Sequence, residues 1–108
     1  MPREAARPSP VRFAKALADD TRQEIMACCC CRWVSVGEIV DQIGVSQPTV
    51  SHHLAVLREA GLVHVRPEGK QTFYSLNQGR VASCCGQLIQ VFAPESESAE
   101  VWKAAGPS

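Results

Sequence analysis

The stretch Val45-Ser46-Gln47-Pro48-Thr49-Val50-Ser51-His52-His53-Leu54-Ala55-Val56-Leu57-Arg58-Glu59-Ala60-Gly61 carries its own start and stop signals. Ser46 is an N-cap, because its hydroxyl can accept from an otherwise orphaned backbone N–H. Pro48 falls in the first turn, where no helical N–H is lost. Gly61 can take the left-handed conformation that closes a helix. Val50, Leu54 and Leu57 recur at i, i+4, i+7 as one apolar stripe. Off that stripe the leading turns carry Gln47, Thr49, Ser51 and His52, short polar groups that can reach base edges and phosphates when a helix N-terminus enters a major groove. Upstream, residues 35–43 read as a shorter amphipathic helix, with Gly44 at the turn between the two. Helix, tight turn and second helix with a polar leading edge make a helix-turn-helix.

After Gly61 the period shortens. Residues 62–66 alternate as a strand, Pro67-Glu68-Gly69-Lys70 is turn chemistry, and residues 71–76 alternate again. A hairpin directly after a recognition helix is a wing, and Lys70 at its tip can reach a phosphate. Ahead of the motif, residues 11–18 form a short helix with Phe13 and Leu17 at i, i+4. Asp20 and Thr21 are candidate caps for a second helix from Arg22 to about Cys31, with Ile25, Met26, Cys28 and Cys29 on its apolar side. Beyond the wing, residues 80–92 return to helical spacing, with Val81, Cys84, Cys85, Leu88, Ile89 and Phe92 on one side, and Pro94 ends them. The fold class is therefore mainly α with a small β-wing, a winged helix-turn-helix. Residues 1–10 are expected to fray, 11–92 to form the domain, and 93–108 to be a flexible tail. The first and last helices keep apolar faces that either finish the core or pair with a second copy; a two-fold homodimer through these helices is the expectation.

At 108 residues the chain supports one modest core. Its formal net charge is zero, but the distribution is uneven. Residues 46–80 are +2 with three histidines besides, and residues 93–108 are −2. A basic patch on a neutral chain agrees with a nucleic-acid partner without demanding one. No signal peptide and no apolar run of membrane-spanning length is visible, so a cytoplasmic location without membrane attachment is expected. An enzyme is disfavoured, since no nucleophile–base–acid set and no phosphate-cradling glycine loop is present.

Three runs together carry a family resemblance: residues 18–26 (Ala18-Asp19-Asp20-Thr21-Arg22-Gln23-Glu24-Ile25-Met26), the helix and its flank through Leu62-Val63, and Gly69-Lys70-Gln71-Thr72-Phe73-Tyr74-Ser75-Leu76. In order and spacing they resemble the ArsR/SmtB family of metal-responsive bacterial repressors, over roughly residues 11–92. The resemblance implies a homodimer that represses its own operon, contacts operator DNA through the positions occupied here by Gln47, Thr49, Ser51 and His52, and leaves when an inducer binds. It implies no cofactor for DNA binding. It does not fix the inducer. The family's arsenic pattern places cysteines at the start of the helix before the recognition helix, where this chain has Trp33-Val34-Ser35-Val36-Gly37-Glu38. Its zinc pattern needs Asp, His or Glu on the last helix, and residues 80–92 hold none.

What stands instead is Cys28-Cys29-Cys30-Cys31 and Cys84-Cys85. In a reducing compartment these are thiols. Some are core hydrophobes, with Cys28, in step with Ile25, as the first candidate. Adjacent Cα atoms lie about 3.8 Å apart, below the usual disulfide range of about 4.4–6.8 Å, whereas a soft ion bridges two thiolates without a direct bond. Some arsenical sensors of this family use a vicinal pair on the last helix, which Cys84-Cys85 resembles. The site expected is Cys84 and Cys85 with a third thiolate from Cys30 or Cys31, holding As(III) or Sb(III) as inducer. The alternatives are a thiol redox or persulfide sensor, since some relatives couple a thiol on the second helix to one on the last, and a Cd, Pb or Zn site. His52 is expected to face DNA, His53 to pack at the helix edge and His64 to be solvated.

Overall fold

The computed structural model describes residues 10–105, with side chains described through residue 101; of the fray expected over residues 1–10, residues 1–9 lie outside it and Pro10 is helical. Helix α1 (Pro10–Leu17) starts on proline, whose missing N–H would have had no helical partner. Phe13 and Ala16 turn into the core. Helix α2 (Asp20–Cys28) is capped by Asp19, whose side chain accepts from the Arg22 N–H; neither Asp20 nor Thr21 is the cap. Helix α2 is also shorter than expected: the chain leaves it at Cys28, and Cys31 takes φ +71°, the only non-glycine residue described with positive φ.

Strand β1 (Val34–Ser35) leads into helix α3 (Val36–Ile43). Ser35 and Glu38 form a reciprocal capping box there, and Gly44 at φ +82° closes the helix. Helix α4 (Gln47–Glu59) follows, with Ser46 as its N-cap and Val50, Leu54 and Leu57 buried. Strands β2 (Val63–Glu68) and β3 (Gln71–Leu76) form the hairpin. Glu68 pairs with Gln71 around Gly69-Lys70, and Gly69 at φ +60° supplies the positive φ that a tight hairpin turn needs at its first central residue. The sheet runs β1-β3-β2, all antiparallel, with Val34 opposite Tyr74. Helix α5 (Gln78–Phe92) is capped by Asn77 and packs on α1.

The region after Pro94 departs from the expected flexible tail. Helix α6 (Glu97–Ala105) packs on α5, with Ala99 buried. Its local cause is a serine cap: the Ser96 hydroxyl accepts from the Ala99 N–H and donates to the Ala93 carbonyl. Glu97 and Glu100 then place negative charge at the helix's positive end.

The core gathers Phe13, Ile25, Cys29, Val34, Ile39, Val50, Leu54, Leu57, Leu62 and Cys84, with Tyr74 and Leu76 of β3 partly buried against it. No described helix is long and apolar enough to cross a membrane.

Candidate nucleic-acid interface and thiol cluster

Burying Val50, Leu54 and Leu57 fixes how α4 rolls, and the roll decides which residues face out. Gln47, Thr49, Ser51 and His52 are all exposed, along with Lys70 at the hairpin tip. A cleft between the start of α4, the start of α3 and the wing is lined by Gln47, Gly37, Lys70, Thr72 and Tyr74. The Ser46 and Thr49 hydroxyls lie 2.9 Å apart, which ties the first turn. One protruding helix end and one protruding hairpin thus share a polar surface, a shape suited to a groove and its flanking backbone.

A network not legible in the sequence holds α4 at that roll. Arg22 of α2 donates to His53 Nδ1 at 3.0 Å and to the Ala16 carbonyl at 2.8 Å. Accepting at Nδ1 leaves the proton of a neutral His53 on Nε2, which faces Asp19 Oδ1 at 4.0 Å. The Arg22 backbone N–H, with lesser help from His53 and the Arg22 charge, holds the Asp19 carboxyl below its ordinary value. His53 therefore joins the recognition helix to the cap of α2. Arg12 reaches the other end of α4, donating to the Glu59 carbonyl at 3.3 Å. The wing is steadied midway along β2, where the Arg66 guanidinium lies 4.3 Å from the centroid of the Trp33 ring. His64 is exposed, and the His52 and His53 rings sit tilted at 5.5 Å.

The six cysteines are thiols in four different settings. Cys29, not Cys28, is the core residue: it is fully buried, four residues after Ile25 on the same face. Burial pushes its thiol up to about 11, so it stays protonated and unreactive near neutral pH. Cys28 is half-buried and donates to the Gln42 side-chain oxygen at 3.2 Å. Cys84 is buried and Cys85 exposed, because neighbours on a helix point about 100° apart. The stripe expected on α5 splits the same way: Val81 and Leu88 pack against the core, while Phe92 is 79% exposed.

The fourth setting is the turn after α2. Cys30 and Cys31 bring their sulfurs to 3.4 Å, and Gln78 at the start of α5 donates to Cys31 Sγ at 3.4 Å. The hydrogen bond shared with Cys31 is the main reason the Cys30 thiol sits above its ordinary value. Among the described residues no group of three or more His, Cys, Asp or Glu side chains is placed to hold a metal ion. The expected set of Cys84, Cys85 and either Cys30 or Cys31 is therefore not assembled within one protomer. The physical reason is helix geometry: α5 sends Cys84 inward and Cys85 outward.

An exposed polar helix edge beside a hairpin wing, stacked on helices that carry thiols, defines the fold class as a winged helix-turn-helix. Residues 19–65 match the sequence profile of "Bacterial regulatory protein, arsR family". The biofilm growth-associated repressor of Xylella fastidiosa is 43% identical over 65 residues, which span 60% of this chain and 57% of that protein. The transcriptional activator HlyU of Vibrio cholerae is 32% identical over 81% of each chain. Its solved structure superposes with a TM-score of 0.64 at 34% identity, covering 76% of this chain and 89% of that one, and a reduced form of HlyU matches similarly, at 0.62 and 33%. An ArsR-like transcriptional regulator from Rhodococcus, at 22% identity and a TM-score of 0.72 over 92% of this chain and 93% of that one, shares the fold. The chain belongs to the arsR family of bacterial regulatory proteins.

Proposed function

We propose that this protein is a dimeric transcriptional repressor that grips operator DNA in its reduced state and lets go when its thiols are oxidised or persulfidated. The DNA half of the reading rests on the exposed polar edge of α4 set beside the wing. Gln47, Thr49, Ser51 and His52 would face base edges and phosphates, and Lys70 a flanking phosphate. A dimer through α1 and α5 would cover Val11, Val91 and Phe92, which are 65%, 67% and 79% exposed. It would set two recognition helices about 34–36 Å apart, one turn of duplex.

The observation that carries the thiol half is the Cys30–Cys31 contact at 3.4 Å. Two sulfurs suffice for disulfide or persulfide chemistry, whereas a pyramidal As(III) needs three and Zn²⁺ or Cd²⁺ would more often need four. The reduced form of HlyU among the structural relatives supports the same reading. A metalloid reading has one observation in its favour: Cys85 is exposed on the outer side of α5. In a dimer it would be placed to complete a site with a second copy, using Cys84, Cys30 or Cys31 as further donors for As(III) or Sb(III).

The test is release of the reduced protein from a duplex it has itself selected out of a random-sequence pool. The challengers are peroxide, an organic persulfide, As(III), Sb(III), Cd(II), Pb(II) and Zn(II). Release by peroxide or persulfide, reversed by dithiothreitol, is the expected result. Release by As(III) or Sb(III) alone would replace the redox reading with the metalloid one.

A further inference from the structure

We infer that hydrogen peroxide oxidises Cys30 and Cys31 to a reversible vicinal disulfide, and that this modification is what the DNA-reading face responds to. The inference rests on the thiol-switch reading above and assigns it a site. The Cys30 and Cys31 sulfurs are in mutual contact at 3.4 Å. Cys31 is exposed and Cys30 half-buried, so an oxidant in solution meets Cys31 first. The chemistry balances with one peroxide. The Cys31 sulfur attacks an oxygen, the O–O bond breaks, and a sulfenic acid and one water result. The Cys30 sulfur then displaces the sulfenic oxygen as a second water, forming the S–S bond. Two thiols lose two electrons and two protons, and the peroxide is reduced to two waters.

The covalent frame makes the product easy to reverse. Adjacent Cα atoms stand about 3.8 Å apart, against about 4.4–6.8 Å for ordinary disulfides. A ring closed between neighbours is strained, and strained or exposed disulfides are the readily reduced, regulatory ones. A switch must reset, so the feature that makes this bond a poor structural clamp suits it to signalling. The left-handed backbone of Cys31 already folds the pair together, which shortens the path to ring closure.

The turn is wired to both halves of the domain. The Leu76 N–H, at the end of β3, donates to the Cys29 carbonyl at 3.0 Å. Gln78, in the first turn of α5, donates to Cys31 Sγ. Three residues after Cys31, β1 pairs Val34 with Tyr74 of the wing, and Trp33 packs on Arg66. Pulling the Cys31 sulfur onto Cys30 takes it from the Gln78 amide and shifts the anchor of β1. The wing and the helix proposed for the dimer feel the change together.

The test uses the full chain, the duplex selected from the random pool, and hydrogen peroxide. Cleavage at arginine isolates residues 23–32, and tandem mass spectrometry locates a loss of two hydrogens within them. The expected result has three parts. The loss maps to Cys30–Cys31 and is reversed by dithiothreitol. The wild type and Cys28→Ser lose affinity for the duplex about tenfold. Cys30→Ser and Cys31→Ser bind the duplex normally when reduced and stay within about twofold after peroxide. The mass map needs no variant, so it stands even if a serine variant folds poorly. Normal peroxide release by Cys30→Ser or Cys31→Ser, or a cross-link between subunits in place of the vicinal bond, would overturn this inference and leave the thiol switch standing. A wild type indifferent to peroxide would overturn this inference, and one indifferent to an organic persulfide as well would overturn both.

Discussion

Gly61 and Cys31 both occupy the left-handed region, at φ +74° and +71°, and only the glycine does so without a steric penalty. For an L-residue with a side chain that region costs about 1–2 kcal/mol. Gly61→Ala should therefore lower stability by roughly that amount, and somewhat more if Arg80 resists, since a Cβ there would lie 2.6 Å from the Arg80 Nη1. Cys31→Gly should leave the melting temperature unchanged or raised, because relieving the strain offsets the added freedom of the unfolded chain. Thermal unfolding of the two variants checks both. A fall for Cys31→Gly as large as that for Gly61→Ala would mean the turn is not strained. Asp19 supplies a pH signature. Its carboxyl is held below the ordinary value of 3.8 by the Arg22 N–H, so its contribution is present above that value. The contribution is lost as pH falls through the lower folded-state value. Urea midpoints measured from pH 5 downward should show Asp19→Asn losing less stability with acid than the wild type. Parallel curves would remove Asp19 from the account.

At the scale of elements, α4 and the wing make separable contributions to the proposed DNA complex. Ser51→Ala or His52→Ala should weaken binding to the selected duplex by about tenfold or more, and should relax sequence preference at one position. Lys70→Ala should weaken binding to all sequences alike and reduce the slope of log affinity against log salt by about one. A Lys70→Ala slope equal to the wild type would place the hairpin tip away from phosphate. These elements were legible because each carries a local stereochemical signal: Ser46 and Pro48 at the start of α4, Gly44 and Gly61 at helix ends, Gly69 in the hairpin turn. What was missed lacks such a signal. Two residues have no period, so β1 exists only because β3 pairs with it. The Ser96 cap and buried Ala99 of α6 hide in a composition that reads as mobile. The core cysteine was misplaced by one: i+3 and i+4 both lie near the face of Ile25, and packing chose Cys29 over Cys28. The Arg22–His53–Asp19 network joins residues far apart in sequence, which no spacing rule reaches.

For the whole molecule, the proposed dimer decides whether two such helices act as one reader. Phe92, 79% exposed at the end of α5, is the most exposed of the large apolar side chains among the described residues. Phe92→Glu should shift sedimentation toward the monomer and weaken duplex binding together. A change in one without the other would separate the helix from the interface. Sulfur is distributed on the same scale: Cys29 and Cys84 are buried in the core, Cys28 is half-buried against Gln42, Cys85 is exposed on α5, and Cys30 and Cys31 touch on the turn after α2. The central claim is that the reduced dimer holds a specific duplex and that oxidised thiols release it. Fluorescence anisotropy of a labelled duplex, chosen by the reduced protein and titrated first with reduced and then with peroxide-treated protein, tests it most directly. The account predicts tight, saturable, salt-sensitive binding in the first titration and affinity about tenfold or more weaker in the second, restored by dithiothreitol. Equal affinity in the two states, or no sequence-selective binding in the reduced one, would contradict it.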